Sequence, residues 1–350
     1  MIKIPLMNIF LPLKWATLVA LVLVGLSPNC LAKDLKFTVV SKVILEDVES
    51  TRQMKQLKVS GDGDIRVLAF KPEEQLFFYQ KDGRFDRAVD LSKFLPAAAK
   101  DLFVVDFELS ASGASHVVLQ WKEEGKLKYG VLILDKDGEF LKLLAGNQSN
   151  LRDIALAPDG QIYVLGRLET ETEDEFYIGQ IRANDILFKK VRQRPLGKDY
   201  NLLLLAPYPG EIPDIMELLK EGFQLLRPSG DRAVAASNTQ PFIQPLKGFR
   251  GHATSEVRIV GVQATQTKLI VSKTLSRVTK HWFLFERKRY YPTDPLIEVY
   301  DRQGALLQQV DSLRSVAKFM FLRGADLQGH LYFTGFDKKK AYTLYKVKLE

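Results

Sequence analysis

The sequence predicts an all-β chain folded as a six-bladed β-propeller, on three observations. Short apolar segments rich in Val, Ile, Phe and Tyr alternate with turns that contain Gly, Asp and Pro, a pattern typical of many short strands. Two classes of turn recur about every 50 residues. A strand near each end of the chain has no partner of its own within this repeat.

The turns define the repeat. The first class joins two apolar segments, with markers at Gly63, Gly113, Gly160, Gly210, Gln266 and Gly329. The second class follows later in the same repeat, with markers at Gly83, Gly138, Asn184, Gly230 and Gly304. Gly and Asn suit these positions because tight hairpin turns need a positive φ. Each full repeat therefore predicts four antiparallel strands, which form one blade.

The two ends of the chain complete the ring. The sixth repeat holds only three strands and ends at residues 341–350, whereas residues 36–45 form a strand before the first turn. Pairing these two segments supplies the missing strand and protects the sheet edges. Seven blades, with an irregular one between Gly230 and Gln266, and a two-sheet sandwich are the alternatives. Blade 4 is the least regular, since residues 211–222 favour a short helix, or an irregular strand, over a regular second strand.

Two segments resemble a known family of propellers. Residues 151–166 (LRDIALAPDGQIYVLG) resemble the first hairpin of an NHL-type blade, and residues 330–335 (HLYFTG) resemble its second strand. The resemblance implies the six-bladed fold alone, because this fold carries lactonases, dehydrogenases, peptide binders and receptor modules.

The first 32 residues have the features of an export signal. Lys3 and Lys14 are their only charges, and the apolar run at 15–26 is short for a membrane span. Cys30 and Ala32 are small residues that suit a cleavage site after Ala32.

We therefore predict a signal peptide over residues 1–32 and a single propeller domain over residues 33–350, exported to the periplasm or secreted. An uncleaved anchor and lipoprotein processing at Cys30 are the alternatives. Cleavage removes the only cysteine, so the mature chain forms no disulfide and cannot be a thiol enzyme. We expect no membrane span in the mature chain.

The charge pattern excludes a dedicated nucleic-acid binder. The chain holds 50 Lys and Arg against 42 Asp and Glu, a net charge of +8. Its longest basic runs, at 287–289 and 338–340, are only three residues long. We expect a monomer that binds no nucleic acid.

The longest loops predict a binding surface. In a propeller, the second-to-third strand loops and the blade-to-blade connections lie on one face, around the mouth of the channel. The two markers of the fifth repeat, Gln266 and Gly304, are 38 residues apart, against 20 to 25 in the first four repeats. The insertion and the connection before it are rich in aromatic and basic residues, which often dominate binding surfaces. The predicted ligand-binding residues are Trp282, Phe285, Arg287, Lys288, Arg289, Tyr290, Tyr291, Phe249, Arg250 and His252. An extended β-hairpin with a solvated basic tip is the alternative.

An acidic segment of blade 3 lies on the same class of loop. Its carboxylates are candidates for a cation site, namely Glu169, Glu171, Glu173, Asp174 and Glu175. They lack the Gly and Asn spacing of a formed calcium loop, so a solvated charged turn is the alternative.

No catalytic motif is evident in the sequence. The four histidines lack zinc-site spacing, and there is no GxSxG, P-loop or dinucleotide fingerprint. Asp106, Glu108 and Asp153 lie on predicted first strands, which line the channel of a propeller. They do not complete the Glu–Asn–Asn–Asp cage that a lactonase would need.

The sequence thus favours an exported binding module without a cofactor, whose partner is a protein or glycan of the cell envelope or exterior. The alternative is a lactonase or hydrolase-type propeller enzyme that depends on a calcium ion in the channel. A third interpretation is an envelope scaffold without a small ligand.

Overall fold

Six antiparallel sheets follow one another along the chain, as the repeat predicts. The structure is a computed structural model. It describes residues 36–46, 54–69, 74–145, 150–157, 159–195, 201–205, 212–219, 222–226, 232–233, 253–265, 267–279, 289–292, 296–310, 318–326, 328–336 and 342–350.

The strands are short and regular. Those of the first half are β1 (Phe37–Ile44), β2 (Met54–Val59), β3 (Ile65–Ala69), β4 (Gln75–Tyr79), β5 (Phe85–Asp90), β6 (Lys100–Leu109), β7 (Ser115–Glu123), β8 (Lys126–Leu134), β9 (Phe140–Ala145), β10 (Asn150–Leu156), β11 (Ile162–Glu169), β12 (Glu173–Ile181) and β13 (Ile186–Pro195). Those of the second half are β14 (Asn201–Leu205), β15 (Asp214–Leu219), β16 (Gly222–Leu226), β17 (Arg232–Ala233), β18 (Ala253–Ala264), β19 (Lys268–Thr279), β20 (Arg289–Pro292), β21 (Leu296–Asp301), β22 (Leu306–Val310), β23 (Lys318–Ala325), β24 (Leu331–Phe336) and β25 (Tyr342–Leu349).

Each blade takes four strands from one repeat, except the last. Blades 1 to 4 are β2–β5, β6–β9, β10–β13 and β14–β17, and blade 5 is β18, β19, β21 and β22 with β20 beside β19. Blade 6 contains β23, β24 and β25, and its fourth strand is β1. The prediction of an all-β, six-bladed propeller is confirmed.

The first and last strands pair over their full length. Their antiparallel register runs from Phe37 opposite Leu349 to Ile44 opposite Thr343. Beyond it, the Lys36 amide donates to the Glu350 carbonyl at 2.8 Å, and the Glu350 amide donates back at 3.0 Å. The two ends of the propeller are therefore joined within one sheet.

The second strand of blade 4 corrects a prediction from the sequence. The expectation of a helix within residues 211–222 is wrong, because β15 pairs with both β14 and β16. Ile215 packs in the layer shared with blade 3, whereas Met216 packs in the layer shared with blade 5. A strand buried on both faces has no apolar–polar alternation, so its sequence period does not distinguish it from a helix.

The core consists of apolar layers between neighbouring blades. Five such layers are described, between blades 6 and 1 and then in order to blades 4 and 5. In the layer between blades 1 and 2, for example, Phe78 and Leu68 pack with Phe107 and Leu119. Blades 1 to 4 are thus each stabilised by burial against two neighbours rather than by a core of their own.

Helical structure is minor in the described part of the chain. A single turn of 3-10 helix (Leu91–Phe94) follows β5, and the Asp90 side chain caps it by accepting from the Ser92 amide at 3.0 Å. No described helix has the length and apolar character of a membrane span. The predicted signal peptide lies outside the described residues.

The end of β1 also contacts blade 1. Gly83, in the third-to-fourth strand turn of that blade, has a φ of +88°, and a Cβ added there would lie 2.1 Å from the Ile44 carbonyl oxygen. The Glu46 amide donates to the Gly83 carbonyl at 2.9 Å, and the Glu46 carboxylate accepts from the Phe85 amide at 2.8 Å. This close contact leaves space only for glycine.

We predict that Gly83→Ala destabilises the propeller by more than about 2 kcal/mol, because the methyl group combines a positive φ with a steric overlap. Gly160 has a similar φ of +84° with nothing within 4 Å of its added Cβ. Gly160→Ala is therefore the matched control and should cost about 1 kcal/mol. Urea denaturation measures both, and equal losses would contradict the close contact at Gly83.

Candidate functional site

The first strands of the six blades surround a central cavity of about 630 Å³. The cavity extends to the first-to-second strand turns, since Ser60, Gly61, Ser110 and Gln328 are among its lining residues. In blade 5, this turn lies at the opposite end of β19 from its pairing with β20, which adjoins the insertion predicted to bind a ligand.

The central cavity has two chemically different walls. The charged side chains in its described lining all belong to blades 1, 2, 3 and 6, and they are Lys55, Lys58, Asp106, Glu108, Asp153, Arg323, Asp326 and Lys346. The described lining from blades 4 and 5 carries no charge, and consists of Leu203, Leu204, Leu205, Leu218, Ile259, Gly261, Val262, Gln263 and Ala264. We call these two sides the charged wall and the leucine wall.

A β-bulge places each of the two central carboxyl groups. Asp106 follows a register shift after Val104 in β6, and Asp153 follows a shift after Leu151 in β10. A bulge turns the following side chains relative to the regular pleat. Both aspartates are only 8% exposed, and both line the central cavity.

Asp153 and Asp106 form a carboxyl pair between blades 3 and 2. Burial raises the pKa of Asp153 well above its ordinary value, and a hydrogen bond to Asp106 and the charge of Asp106 raise it further. Asp153 also accepts from the Leu204 amide of blade 4 at 2.5 Å and from the Ile154 amide at 3.0 Å. The raised pKa favours the protonated form of Asp153 within this pair.

Lys58 balances the carboxyl pair from blade 1. Its Nζ donates to Glu108 Oε2 at 2.6 Å. Burial alone would lower the pKa of Lys58, but the charges of Glu108 and Asp106 and the hydrogen bond to Glu108 outweigh it and raise that pKa. Lys58 therefore remains an ammonium ion, and its pair with Glu108 links blade 1 to blade 2.

Lys55 and Arg323 extend these links around the charged wall. Lys55 Nζ donates to the carbonyl oxygens of Val104 and Val105, at 2.9 and 3.1 Å. Arg323 of blade 6 donates to the Lys55 carbonyl at 3.5 Å and to Thr334 Oγ1 at 2.9 Å. The charged wall is therefore a chain of contacts between adjacent first strands.

A second polar network lies at the turn between β23 and β24. Asp326 Oδ2 accepts from the Tyr332 hydroxyl at 3.0 Å, and it lies 3.0 Å from His330 Nδ1 and 3.3 Å from Lys346 Nζ. Burial would raise the pKa of Asp326, but hydrogen bonds from the His330 amide and Tyr332, with the charges of His330 and Lys346, lower it. Asp326 is therefore held as a carboxylate.

The acidic segment of blade 3 is a tight hairpin whose carboxylates mostly have partners. Asp174 is fully buried, and Arg167 binds its two oxygens at 2.9 Å each. Glu175 accepts from Lys190 and from the Tyr177 hydroxyl. Glu169 pairs with Asp174 across the hairpin, and the segment between β11 and β12 is only residues 170–172.

The remaining acidic candidates, Glu171 and Glu173, lie in or beside this turn, where the Glu173 amide donates to Thr170 Oγ1 at 3.1 Å. In the described part of the chain, no group of three or more His, Cys, Asp or Glu side chains is placed to hold a metal ion. Ion pairs and backbone pairing therefore account for the acidic segment.

The carboxylates of the central cavity do not fit a calcium ion either. Amides of Phe107, Leu109 and Leu204 donate to Asp106, Glu108 and Asp153 respectively. The Lys58 ammonium group pairs with the Glu108 carboxylate, so it occupies a ligand that a divalent cation would need. No reaction step through calcium follows from this arrangement.

The blade 5 insertion prolongs its sheet. β21 pairs with β19 from Lys268 to Lys273, and β20 pairs with β19 from Ser276 to Thr279. This backbone pairing is that of an extended β-hairpin, and it places Arg289, Tyr290 and Tyr291 on β20. The other predicted ligand-binding residues lie outside the described residues, namely Trp282, Phe285, Arg287, Lys288, Phe249, Arg250 and His252.

The sequence predicted part of the charged wall. It placed Asp106, Glu108 and Asp153 on channel-lining strands, as observed, but it missed Lys55 and Lys58. The alternation within β2 could have indicated Lys58, because Leu57 is fully buried and Lys58 follows it on the other face.

Comparisons with known proteins assign no family to this chain. No protein-family model matches the chain, and a search of the curated proteins gives no match. No family match supports the narrower resemblance to NHL-type blades.

Solved structures similar to this chain include proteins of different kinds. Regucalcin, a calcium-binding protein from Agrobacterium tumefaciens, is 12% identical with a TM-score of 0.44, over 88% of this chain and 95% of that one. A protein from Lactobacillus plantarum is 12% identical with a TM-score of 0.37, over 85% and 83%. Prolyl oligopeptidase B from Galerina marginata is 12% identical with a TM-score of 0.38, over 85% and 42%. TM-scores below 0.5 carry no argument about activity.

We predict that Arg167→Leu destabilises the protein by about 3 to 5 kcal/mol, because it leaves the buried Asp174 carboxylate without its cation. Arg84→Leu is the matched control, since Arg84 pairs with Asp82 on an exposed turn. The control should change the free energy of unfolding very little. Equal effects in urea denaturation would contradict a structural role for the Arg167–Asp174 pair.

We predict that the free energy of unfolding of the wild-type protein falls relative to that of the Asp153→Asn variant as the pH rises above about 4. This is the range in which an Asp of the unfolded chain loses its proton. The folded state keeps that proton, so the stabilisation is complete at low pH and is lost as the pH rises toward the folded pKa. The difference in unfolding free energy should change by at most about 1.4 kcal/mol per pH unit. Urea denaturation across this range measures it, with Asp62→Asn on an exposed turn as control. A difference that does not vary with pH would exclude a proton held on Asp153.

Proposed function

We propose that the protein is an exported binding module that takes a small ligand into its central cavity. The observation that carries this proposal is the division of the cavity into a charged wall and a leucine wall. Ligand sites are typically concave and largely apolar, with a few polar groups that fix the orientation of the ligand.

The contacts within the charged wall support a binding role. Lys58 is held by Glu108, Asp153 by the Leu204 amide, and Lys346 by Asp326. Because each group is already fixed by a neighbour, a ligand would lose little binding energy to the ordering of side chains.

We also propose that the extended hairpin of blade 5 contacts a protein or glycan of the cell envelope or exterior. Its support is the prolonged β19–β20 pairing together with the Arg, Tyr, Trp and Phe content of residues 280–292. Such side chains contribute much of the energy of known interfaces. Export to the periplasm or the medium remains a proposal that rests on the composition of residues 1–32.

Filling the central cavity tests the proposal. Ala325 lines the cavity, whereas Ala88 is exposed on the outer strand β5, so Ala325→Phe and Ala88→Phe form a matched pair. We expect wild type and Ala88→Phe to retain a small-molecule adduct in native mass spectrometry after incubation with an envelope extract. Ala325→Phe should lose that adduct while unfolding at a similar temperature.

A variant that lacks residues 280–288 should keep the adduct, because those residues do not belong to the described lining of the cavity. Retention of the adduct by Ala325→Phe would show that the cavity is not the ligand site. A wild-type protein that retains neither an adduct nor a macromolecular partner would overturn the binding function.

A further inference from the structure

We infer that the central cavity selects an amphiphilic monocarboxylate, a molecule with one ionised carboxylate at its head and an apolar tail. This inference rests on the proposed function and adds the chemical class of the ligand. Its basis is the position of Arg323 at the border between the charged wall and the leucine wall, where its described partners are all uncharged.

Two ion pairs balance half of the charges in the described lining. Lys58 Nζ lies 2.6 Å from Glu108 Oε2, and Lys346 Nζ lies 3.3 Å from Asp326 Oδ2. Each pair contributes one positive and one negative charge. Neither pair therefore favours a ligand of one sign over the other.

The rest of the described lining carries more positive than negative charge. Its cations are Lys55 and Arg323, and its carboxyl groups are Asp106 and Asp153. The two aspartates share a hydrogen bond, and since ionised carboxylates only accept, that bond requires a proton between them. The carboxyl pair thus carries one negative charge against two positive charges, and a bound monoanion would neutralise the surplus.

Arg323 has hydrogen-bond donors that no described acceptor uses. Of the five N–H groups of the guanidinium, one at Nε donates to Thr334 Oγ1 at 2.9 Å, and one at Nη1 donates to the Lys55 carbonyl at 3.5 Å. The guanidinium also lies over the Phe321 ring, 5.3 Å from its centroid. In the part of the chain that the structure describes, no carboxylate pairs with Arg323. A carboxylate suits the donors that remain, because a guanidinium binds it through two parallel hydrogen bonds.

The apolar lining of blade 5 lies next to Arg323. Its strand, β23, packs closely against β18, where a Cβ added at Gly261 would lie 3.1 Å from the Leu322 carbonyl oxygen. Ile259 and Val262 of β18 line the cavity, and the leucines of β14 and β15 follow in the next blade. A ligand whose carboxylate binds Arg323 can therefore place its tail against the leucine wall, where apolar surface leaves water on both partners.

Other heads are disfavoured by the same charges. An ammonium head would add to the surplus positive charge. A dianionic head, such as a phosphate monoester, would exceed that surplus and meet repulsion from Asp106 and Glu108. An uncharged head would leave Arg323 without a counter-charge.

Four probes with the same eight-carbon tail test the inference. Sodium octanoate, octyl phosphate, octylammonium chloride and octyl glucoside are each titrated into the protein by isothermal titration calorimetry, at slightly alkaline pH and below the micelle concentration. We expect octanoate to bind at least about tenfold more tightly than each other probe, since hydrogen bonds to charged groups give discrimination of this size.

Variants of Arg323 assign the head. Arg323→Gln should abolish the preference for octanoate over octyl glucoside, whereas Arg84→Gln, on an exposed turn, should retain it. Arg323→Lys should keep part of the preference, because Lys supplies the charge without the planar fork, and it tests the same point if Arg323→Gln does not fold. A purely structural role of Arg323 would weaken both probes equally, and an unchanged ratio of the two affinities would contradict the assignment.

A variant of the leucine wall assigns the tail. Leu203→Gln should weaken octanoate and octyl glucoside alike, by about tenfold. Leu187→Gln, at an exposed leucine of β13, is the matched control and should leave both affinities unchanged. Equal affinities in wild type and Leu203→Gln would place the tail elsewhere and contradict the inference.

Tighter or equal binding of any other probe would overturn the inferred ligand class while leaving the binding function intact. The same conclusion would follow if none of the four probes bound although native mass spectrometry showed an adduct sensitive to Ala325→Phe. Absence of both signals would instead count against the proposed function itself.

Discussion

The pairing of β1 with β25 is the constraint on which the rest of the propeller depends. Each blade buries its faces only against its two neighbours, so an open row of sheets would leave two apolar faces in water. The pairing of β1 with β25 completes blade 6, and blade 6 then packs against blade 1, so both faces are buried. Gly83 and Glu46 continue the contact into blade 1, so the end of β1 links blade 6 to blade 1.

Closure also determines the chemistry at the axis. Six first strands lie around one narrow space, and polar side chains on them lose most of their contact with water. Such groups must find partners in adjacent blades. Lys58 with Glu108, Asp153 with Asp106, and Asp153 with the Leu204 amide are the observed solutions. The side chains that link adjacent blades are therefore the same side chains that a ligand in the cavity would contact.

The repeat of turns was enough to predict the fold, because glycines such as Gly83 and Gly138 occupy positive-φ turns that few other residues tolerate. The position of Asp106 and Asp153 on channel-lining strands could also be predicted. Their pairing could not, because it depends on bulges that shift the register of β6 and β10 without a sequence signal of their own. The strand β15 was missed since burial on both faces removes its alternation.

The sequence shows the leucine wall of β14 as the run NLLLL, but it does not show that these residues line a cavity. Such a run is equally compatible with a strand packed between two blades and with one that faces an open space. The ring geometry shows that Leu203, Leu204 and Leu205 line the cavity and also pack in the layers between blade 4 and its two neighbours.

The mutual hydrogen bonds of Lys36 and Glu350 have a consequence for biogenesis. The two segments that seal the ring are about 300 residues apart in sequence, so their pairing closes a much longer loop than any pairing within a single blade. Until then the nascent chain carries an unmatched edge at β1 and exposed apolar faces at its growing end. Exposed apolar faces and an unpaired strand edge make such a partly folded chain prone to aggregation.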